Sequence, residues 1–282
     1  MQYIVRLLGS QPILSERGQR QKPGMIRIIG YIGRKAIDSI THLLDLFAFL
    51  YRIFAQVRHR PEEGRALVWR IIIQQLYFTA VEALPILIPI ALLVGSMVII
   101  QFAKFSGQYD FGRISVLLIV REIGPIITAL LVLLRSSTAV TIEISYMRVL
   151  NELDAMEMAG LDPIRVVCLP RLVGITSAMV GLFVVFDLVS IMGGYAIVWM
   201  VTDIPMSNFL FQIAKAIKPA DIGVGLLKAV VFGVAITVTS LYRGFEMKHQ
   251  ITEVPVATSR SAVEGFLYCL VINVLISLSF YL

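Results

Sequence analysis

From Ala83 to Ala103 the chain carries no charged side chain. A helix crossing about 30 Å of hydrocarbon at about 1.5 Å per residue needs a run of this length. Four more runs repeat the feature. Ile114–Leu134 is broken only by Arg121 and Glu122, Leu172–Thr202 carries Asp187, Ile222–Tyr242 carries Lys228, and Gly265–Leu282 has no charge at all. Lipid cannot satisfy a backbone N–H or C=O, so a chain with such runs must cross as helices or as a closed barrel. Long apolar runs without strict alternation select helices. Over 282 residues, 57% are hydrophobic and 16% charged, with a mean hydropathy of +0.82, which is more apolar surface than a soluble domain of this length buries. The fold class expected is therefore an all-α polytopic membrane protein with five transmembrane helices at about 83–103, 114–134, 172–202, 222–242 and 265–282. The third run is longer than one straight crossing and should tilt or bend at Gly193-Gly194. Pro85 and Pro89, one turn apart, should bend the first.

Lysine and arginine set the orientation. Twelve precede the first span, from Arg6 to Arg70, against six acids, which places the N-terminus in the cytoplasm. Arg148, Arg165, Arg171, Arg243, Lys248 and Arg260 then fall inside, and the outer loops hold only Lys104, Arg113, Lys215 and Lys218. Five spans put the C-terminus on the opposite side. The net charge of +6 is concentrated where anionic headgroups lie, and no nucleic-acid motif accompanies it. Within the N-terminal segment 1–70, Met25, Ile28, Ile29, Ile32, Ala36, Ile40, Leu43, Leu44 and Phe47 recur at helical spacing. Arg27, Arg34, Lys35 and Asp38 occupy other faces. This is the pattern of amphipathic helices lying in the interface, and a sixth span over Ala36–Phe54 would export the arginines between Arg58 and Arg70. The permease domain then covers 71–282. The N-terminus lacks the apolar core and cleavage site of a signal peptide, so the chain is expected to begin near Met1. Cys168 and Cys269 have no metal-like spacing and read as small core residues.

No phosphate loop, HExxH or GxSxG motif is present, so the chain is expected to be no enzyme and to bind no cofactor or metal. ATP-driven transport would require a partner that binds the nucleotide and grips a cytoplasmic loop. The loop between the second and third spans offers a grip in a short amphipathic coupling helix at about 146–160, closed by Gly160 with Pro163 beyond. Met147, Leu150 and Met156 could fill a pocket there while Glu152, Asp154 and Glu157 meet a basic groove, although a plain solvated helix has the same pattern.

Charges at membrane depth cost a few kcal/mol or more. Glu82, Arg121, Glu122, Arg135, Asp187 and Lys228 are therefore expected to face the bundle interior, a cavity or the interface. They could line a site for a lipid headgroup. They could also only pair with one another, Arg121 or Lys228 with Glu122 or Asp187. Glu122 stands out because it lies one turn from the Gly124-Pro125 break, while Glu82 and Arg135, near predicted span ends, could snorkel. Gly225, Ala229 and Gly233 form a small-residue ridge that could pack within the chain or against a second copy.

The residues Arg121-Glu-Ile-Gly-Pro125, then Glu143 with Met147-Arg148, then Glu152-Leu-Asp-Ala-Met-Glu-Met-Ala-Gly-Leu-Asp-Pro163, ending in Pro170-Arg171, resemble the signature of the MlaE/YrbE-type permeases. These are membrane subunits of ABC transporters that work with MCE proteins to move lipids between membranes. The resemblance reaches nearly the whole chain. It implies a homodimer in a bacterial inner membrane, or less commonly an organellar inner envelope, with two copies of a cytoplasmic ABC ATPase and an MCE-domain protein on the outer face. Arg121, Glu122, Pro125, Asp187 and Lys228 would lie along the lipid path. Met147, Arg148, Leu150, Glu152, Asp154, Met156, Glu157, Gly160, Asp162 and Pro163 would couple to the ATPase. The chain departs from the family pattern at Leu134–Ser145, where relatives carry several glycines and alanines, so the packing there is expected to differ. Two other functions fit the residues alone: an ion-coupled secondary transporter acting through Glu122 or Asp187, and a structural membrane anchor.

Overall fold

A computed structural model describes residues 37, 40–55, 65–104, 117–200, 219–247 and 250–281. The described residues are helical with short turns and contain no strand. Among the described residues, five helical runs are long and apolar enough to cross a membrane, namely Val68–Gln101, Ile119–Val149, Ile164–Ile197, Pro219–Phe245 and Ile251–Phe280. Contacts divide the chain into 1–45 and 46–282. In the first unit Thr41 Oγ1 donates to the Ile37 carbonyl at 2.9 Å, and the stretch from Met25 to Ala36 lies outside the described residues.

The second unit holds the bundle. Residues 46–55 are the helical stretch we call α1, in which Leu46 and Ile53 are buried and the Phe49 ring packs 5.9 Å from both Tyr242 and Phe245. The first span consists of α2 (Arg65–Ala80), a 3₁₀ turn (Val81–Ala83) and α3 (Leu84–Lys104). The helix thus starts well before Ala83, and the break falls just ahead of Pro85 while Pro89 stays inside α3. The second span is α4 (Gly124–Val132) and α5 (Thr138–Val149), with π-helical turns at Ile119–Ile123 and Leu133–Ser137. A short helix, α6 (Glu152–Met158), follows. The third span is a π turn (Ile164–Cys168), α7 (Leu169–Leu188), a second π turn (Val189–Gly193) and α8 (Gly194–Trp199). α9 (Pro219–Phe245) and α10 (Val254–Tyr281) are the fourth and fifth.

α7 is the central element, packing on α2, α4 and α9, and α9 in turn packs on α5 and α10. Phe183, Phe186, Met179, Ile175 and Phe232 are fully buried between them. The small-residue ridge of α9 is used here, within the chain. A Cβ on Gly225 would come 2.6 Å from Phe183 Cζ, and one on Gly233 would come 2.9 Å from Thr176 Cα, so glycine is what lets α9 approach α7. The expected bend at Gly193-Gly194 is a π turn followed by close contact. Cβ atoms on Gly95 and Gly194 would come within 2.1 Å and 2.6 Å of the opposing backbone, and Ser190 Oγ donates to the Ala91 carbonyl at 3.0 Å. At Leu134–Ser145, the glycine that permits tight packing comes from the opposite helix. Gly244 accommodates Ile144, and Thr141 Oγ1 reaches the Ser240 carbonyl at 3.3 Å and Ser261 Oγ at 3.1 Å.

Candidate functional site

The starts of the second and fourth spans and the last turns of the fifth lie at one end of the bundle, because successive spans alternate in direction. The polar side chains converge there. Pro125 has no N–H to give the Arg121 carbonyl one turn earlier, and the Lys228 ammonium donates to that carbonyl at 2.8 Å. The same ammonium reaches Glu122 Oε1 at 3.0 Å and Ser277 Oγ at 2.7 Å. Glu122 also accepts from Ser277 Oγ at 2.7 Å and, through Oε2, from Asn273 Nδ2 at 2.7 Å. Lys228 is fully buried while the Glu122 side chain remains 30% exposed, so the carboxylate is the side of this cluster that the surroundings can reach. Arg121 turns the other way and pairs with the buried Asp221 at 2.5 Å. Arg121 and Glu122 both lie in the π turn Ile119–Ile123, and consecutive residues of a helix do not share a face, so the two reach different partners.

The expected pairings are therefore half corrected. Lys228 does pair with Glu122, but Arg121 pairs with Asp221, and Asp187 pairs with neither cation. The Asp187 carboxylate lies against Gly124, where a Cβ would come 2.3 Å from its Oδ1, and that oxygen is buried without a hydrogen-bond partner. Pro125 is buried within the first turn of α4. Arg135 lies on the second π turn, in the middle of the second helical run. Its guanidinium donates to the Phe78 carbonyl at 2.7 Å, pairs with Glu82 at 2.7 Å and sits 4.8 Å from the centre of the Phe78 ring, bracing the break between α2 and α3.

At the opposite end, the segment read as one helix over 146–160 is two. α5 continues through Val149, Asn151 takes a left-handed φ of 59°, and α6 begins at Glu152. Leu153 is buried and anchors α6. Met147 and Met156 pack partly buried against the core, so the apolar side chains left exposed are Leu150, Met158 and Leu161. Glu152 and Glu157 are exposed beside them, whereas Asp154 pairs with Arg148 at 2.7 Å. Gly160 ends the turn at φ 78°, where side chains are strained, and Asp162 Oδ1 accepts the Ile164 N–H at 2.9 Å, so that Pro163 enters the third span capped. The segment thus presents an acidic, apolar ridge on a braced support.

The profile of the Permease MlaE family matches residues 72–279. The chain belongs to the MlaE permease family. A probable ABC transporter permease protein of Rickettsia prowazekii is 30% identical over 263 residues, covering 91% of this chain and 99% of that protein. The intermembrane phospholipid transport system permease protein MlaE of Haemophilus influenzae is 27% identical, covering 87% and 94%. The chloroplastic protein TRIGALACTOSYLDIACYLGLYCEROL 1 of Arabidopsis thaliana is 28% identical over 192 residues, covering 67% of this chain and 55% of its own length.

In this MlaE-family permease, sequence reasoning missed Asp221, Asn273 and Ser277. The signal was present. Asp221 and Lys228 are two turns apart on one helix face, and Asn273 and Ser277 are one turn apart in a run otherwise chosen for its lack of charge. Counting charges rather than polar groups hid Asn273 and Ser277, and starting the fourth span at Ile222 left Asp221 just outside it.

Proposed function

We propose that this chain is the membrane-spanning subunit of an ABC transporter that moves phospholipid or a related lipid between membranes. A separate cytoplasmic ATPase hydrolyses the ATP. The observation that carries this reading is the two-ended arrangement. One end has a half-open carboxylate, Glu122, held by donors from two other spans, and the other has an exposed ridge of Leu150, Glu152, Glu157, Met158 and Leu161. Glu122, Arg121, Pro125, Asp187 and Lys228 shape the lipid path, and the ridge from Met147 to Pro163 receives the ATPase. Arg148 and Asp154 act as internal braces in that ridge. The permease works as a homodimer in a bacterial inner membrane, with its N-terminus and interfacial helices on the cytoplasmic side, its C-terminus opposite, and an MCE-domain protein on the outer face. The names of the Haemophilus and Rickettsia relatives support the substrate and the transporter class.

The test is copurification in mild detergent with mass spectrometry of proteins and lipids. The expected result is an ATPase, an MCE-type protein and bound phospholipid. Glu152→Lys with Glu157→Lys should then lose the ATPase while the permease remains monodisperse, because neither side chain braces the fold. Recovery of the chain alone, free of lipid, defeats the proposal. One observation favours an ion-driven alternative, the buried Asp187 Oδ1 that lacks a hydrogen-bond partner. Transport that persists on ATP after the proton and sodium gradients are collapsed removes that alternative.

A further inference from the structure

Beneath α6, at the end of the bundle opposite Glu122, a cavity of about 440 Å³ opens between α2, α5 and the start of α7. Its walls include Gln74, Phe78, Glu143, Met147, Met156 and Arg171. Arg171 is only 7% exposed and pairs with Glu143 at 2.6 Å. It also donates to the Val167 carbonyl at 3.2 Å, while its Nε is buried without a partner. A guanidinium has five N–H donors, so this one is held in place with its capacity only partly used. The Glu143 side chain stays 58% exposed. The cavity therefore contains a fixed cation and an open anion side by side, on walls whose other residues are apolar apart from Gln74 and Gln75. Its volume lies within the range of about 300–1,000 Å³ typical of small-molecule sites.

Gln74 also lines a groove along the outside of α2 formed with Trp69, Arg70, Ile73 and Tyr77. Trp69, Ile73 and Tyr77 are all strongly exposed. Exposed tryptophan and tyrosine beside an arginine are the side chains that settle at the headgroup level of a bilayer. In the orientation proposed above, on which the choice of leaflet rests, this end faces the cytoplasm. An occupant would thus have a small headgroup with both charges and apolar chains lying along α2.

We propose that this cavity and groove form a site for one phospholipid of the cytoplasmic leaflet bearing a zwitterionic headgroup with a primary ammonium. The phosphate lies against Arg171 and Gln74, the ammonium against Glu143, and the acyl chains run past Ile73 and Tyr77. Because Met147 and Met156 form its roof, an occupied site stiffens the support of α6. The site is separate from the Glu122 cluster, and it stands or falls independently of whether the chain moves lipid.

Trp69 and Trp199 are the chain's two tryptophans, so Trp199→Phe leaves Trp69 as a single reporter. The full chain carrying that change is reconstituted in phosphatidylcholine vesicles. These are doped with phosphatidylethanolamine, phosphatidylcholine or phosphatidylglycerol brominated near the carboxyl end of the acyl chains. Quenching of Trp69 by brominated phosphatidylethanolamine should half-saturate at a mole fraction at least threefold lower than for the other two. Arg171→Gln should abolish the preference. Glu143→Gln, at an exposed position with the cation retained, should shift the preference to phosphatidylglycerol, which keeps the test decisive if the Arg171 variant fails to fold. Quenching that follows mole fraction equally for all three lipids overturns the proposal. So does a preference for phosphatidylglycerol in the parent, or a Glu143→Gln variant that still prefers phosphatidylethanolamine.

Discussion

The Lys228–Glu122 pair should show strong coupling in a double-mutant cycle, and the two single substitutions should be unequal. In Lys228→Met, Glu122 loses its cation but keeps Ser277 and Asn273 as donors and remains 30% exposed, so water and dipoles still meet the charge. In Glu122→Gln, the ammonium is left fully buried, with the Arg121 carbonyl, Ser277 and a neutral amide as acceptors. Removing one partner of a buried pair costs about 3–5 kcal/mol. Lys228→Met is expected toward or below the lower end, about 2–3 kcal/mol, because its orphan is partly solvated, and Glu122→Gln toward the upper, about 4 kcal/mol. The double variant leaves no uncompensated charge and should cost less than the sum, giving a coupling of about 2–3 kcal/mol. The assay is reversible unfolding in mixed micelles of mild detergent and dodecyl sulfate, followed by circular dichroism for the four proteins of the cycle. Additivity within about 0.5 kcal/mol would mean that the two groups do not sense each other. It would refute the pairing as the organising contact of the site. A larger cost for Lys228→Met than for Glu122→Gln would refute the burial argument specifically.

Three further outcomes follow from backbone geometry. Gly95→Val should abolish recovery of monodisperse protein on size-exclusion chromatography, since a Cβ there would overlap the Ser190 carbonyl at 2.1 Å between two backbones. Gly223→Ala, where nothing lies within 4 Å, should raise the unfolding free energy by about 0.5–1 kcal/mol through helix propensity. Gly160→Ala has space for the methyl group, but at φ 78° it should cost about 1–2 kcal/mol of local strain. It should be read as faster proteolysis between α6 and the third span without loss of the bundle.

Much of the bundle is legible in the sequence because lipid imposes a single coarse rule. A run of apolar residues must cross as a helix, so the five runs locate five helices, and Gly160, Asp162 and Pro163 mark where α6 stops and the third span starts. The helix ends are less legible, since charge counting ends a span at the first ion even when that ion is paired inside the protein. Arg135 and Arg243 are such cases, each paired from within the bundle, and the helices run past them. Pairing is less legible still. Whether Arg121 meets Asp187 or Asp221 depends on which face the second span turns to its neighbours through the π turn at Ile119–Ile123, and nothing in the residue types announces that turn except Pro125 just beyond it. The missing N–H of Pro125 leaves the Arg121 carbonyl short of a donor, Lys228 supplies one, and Glu122 is drawn into the same cluster while Arg121 is turned toward Asp221. If that sequence of causes is right, the proline organises the site, and Pro125→Ala should loosen the Lys228 contacts even though it restores a helix donor. The site's polarity would then follow from a defect in the second span rather than from its charges.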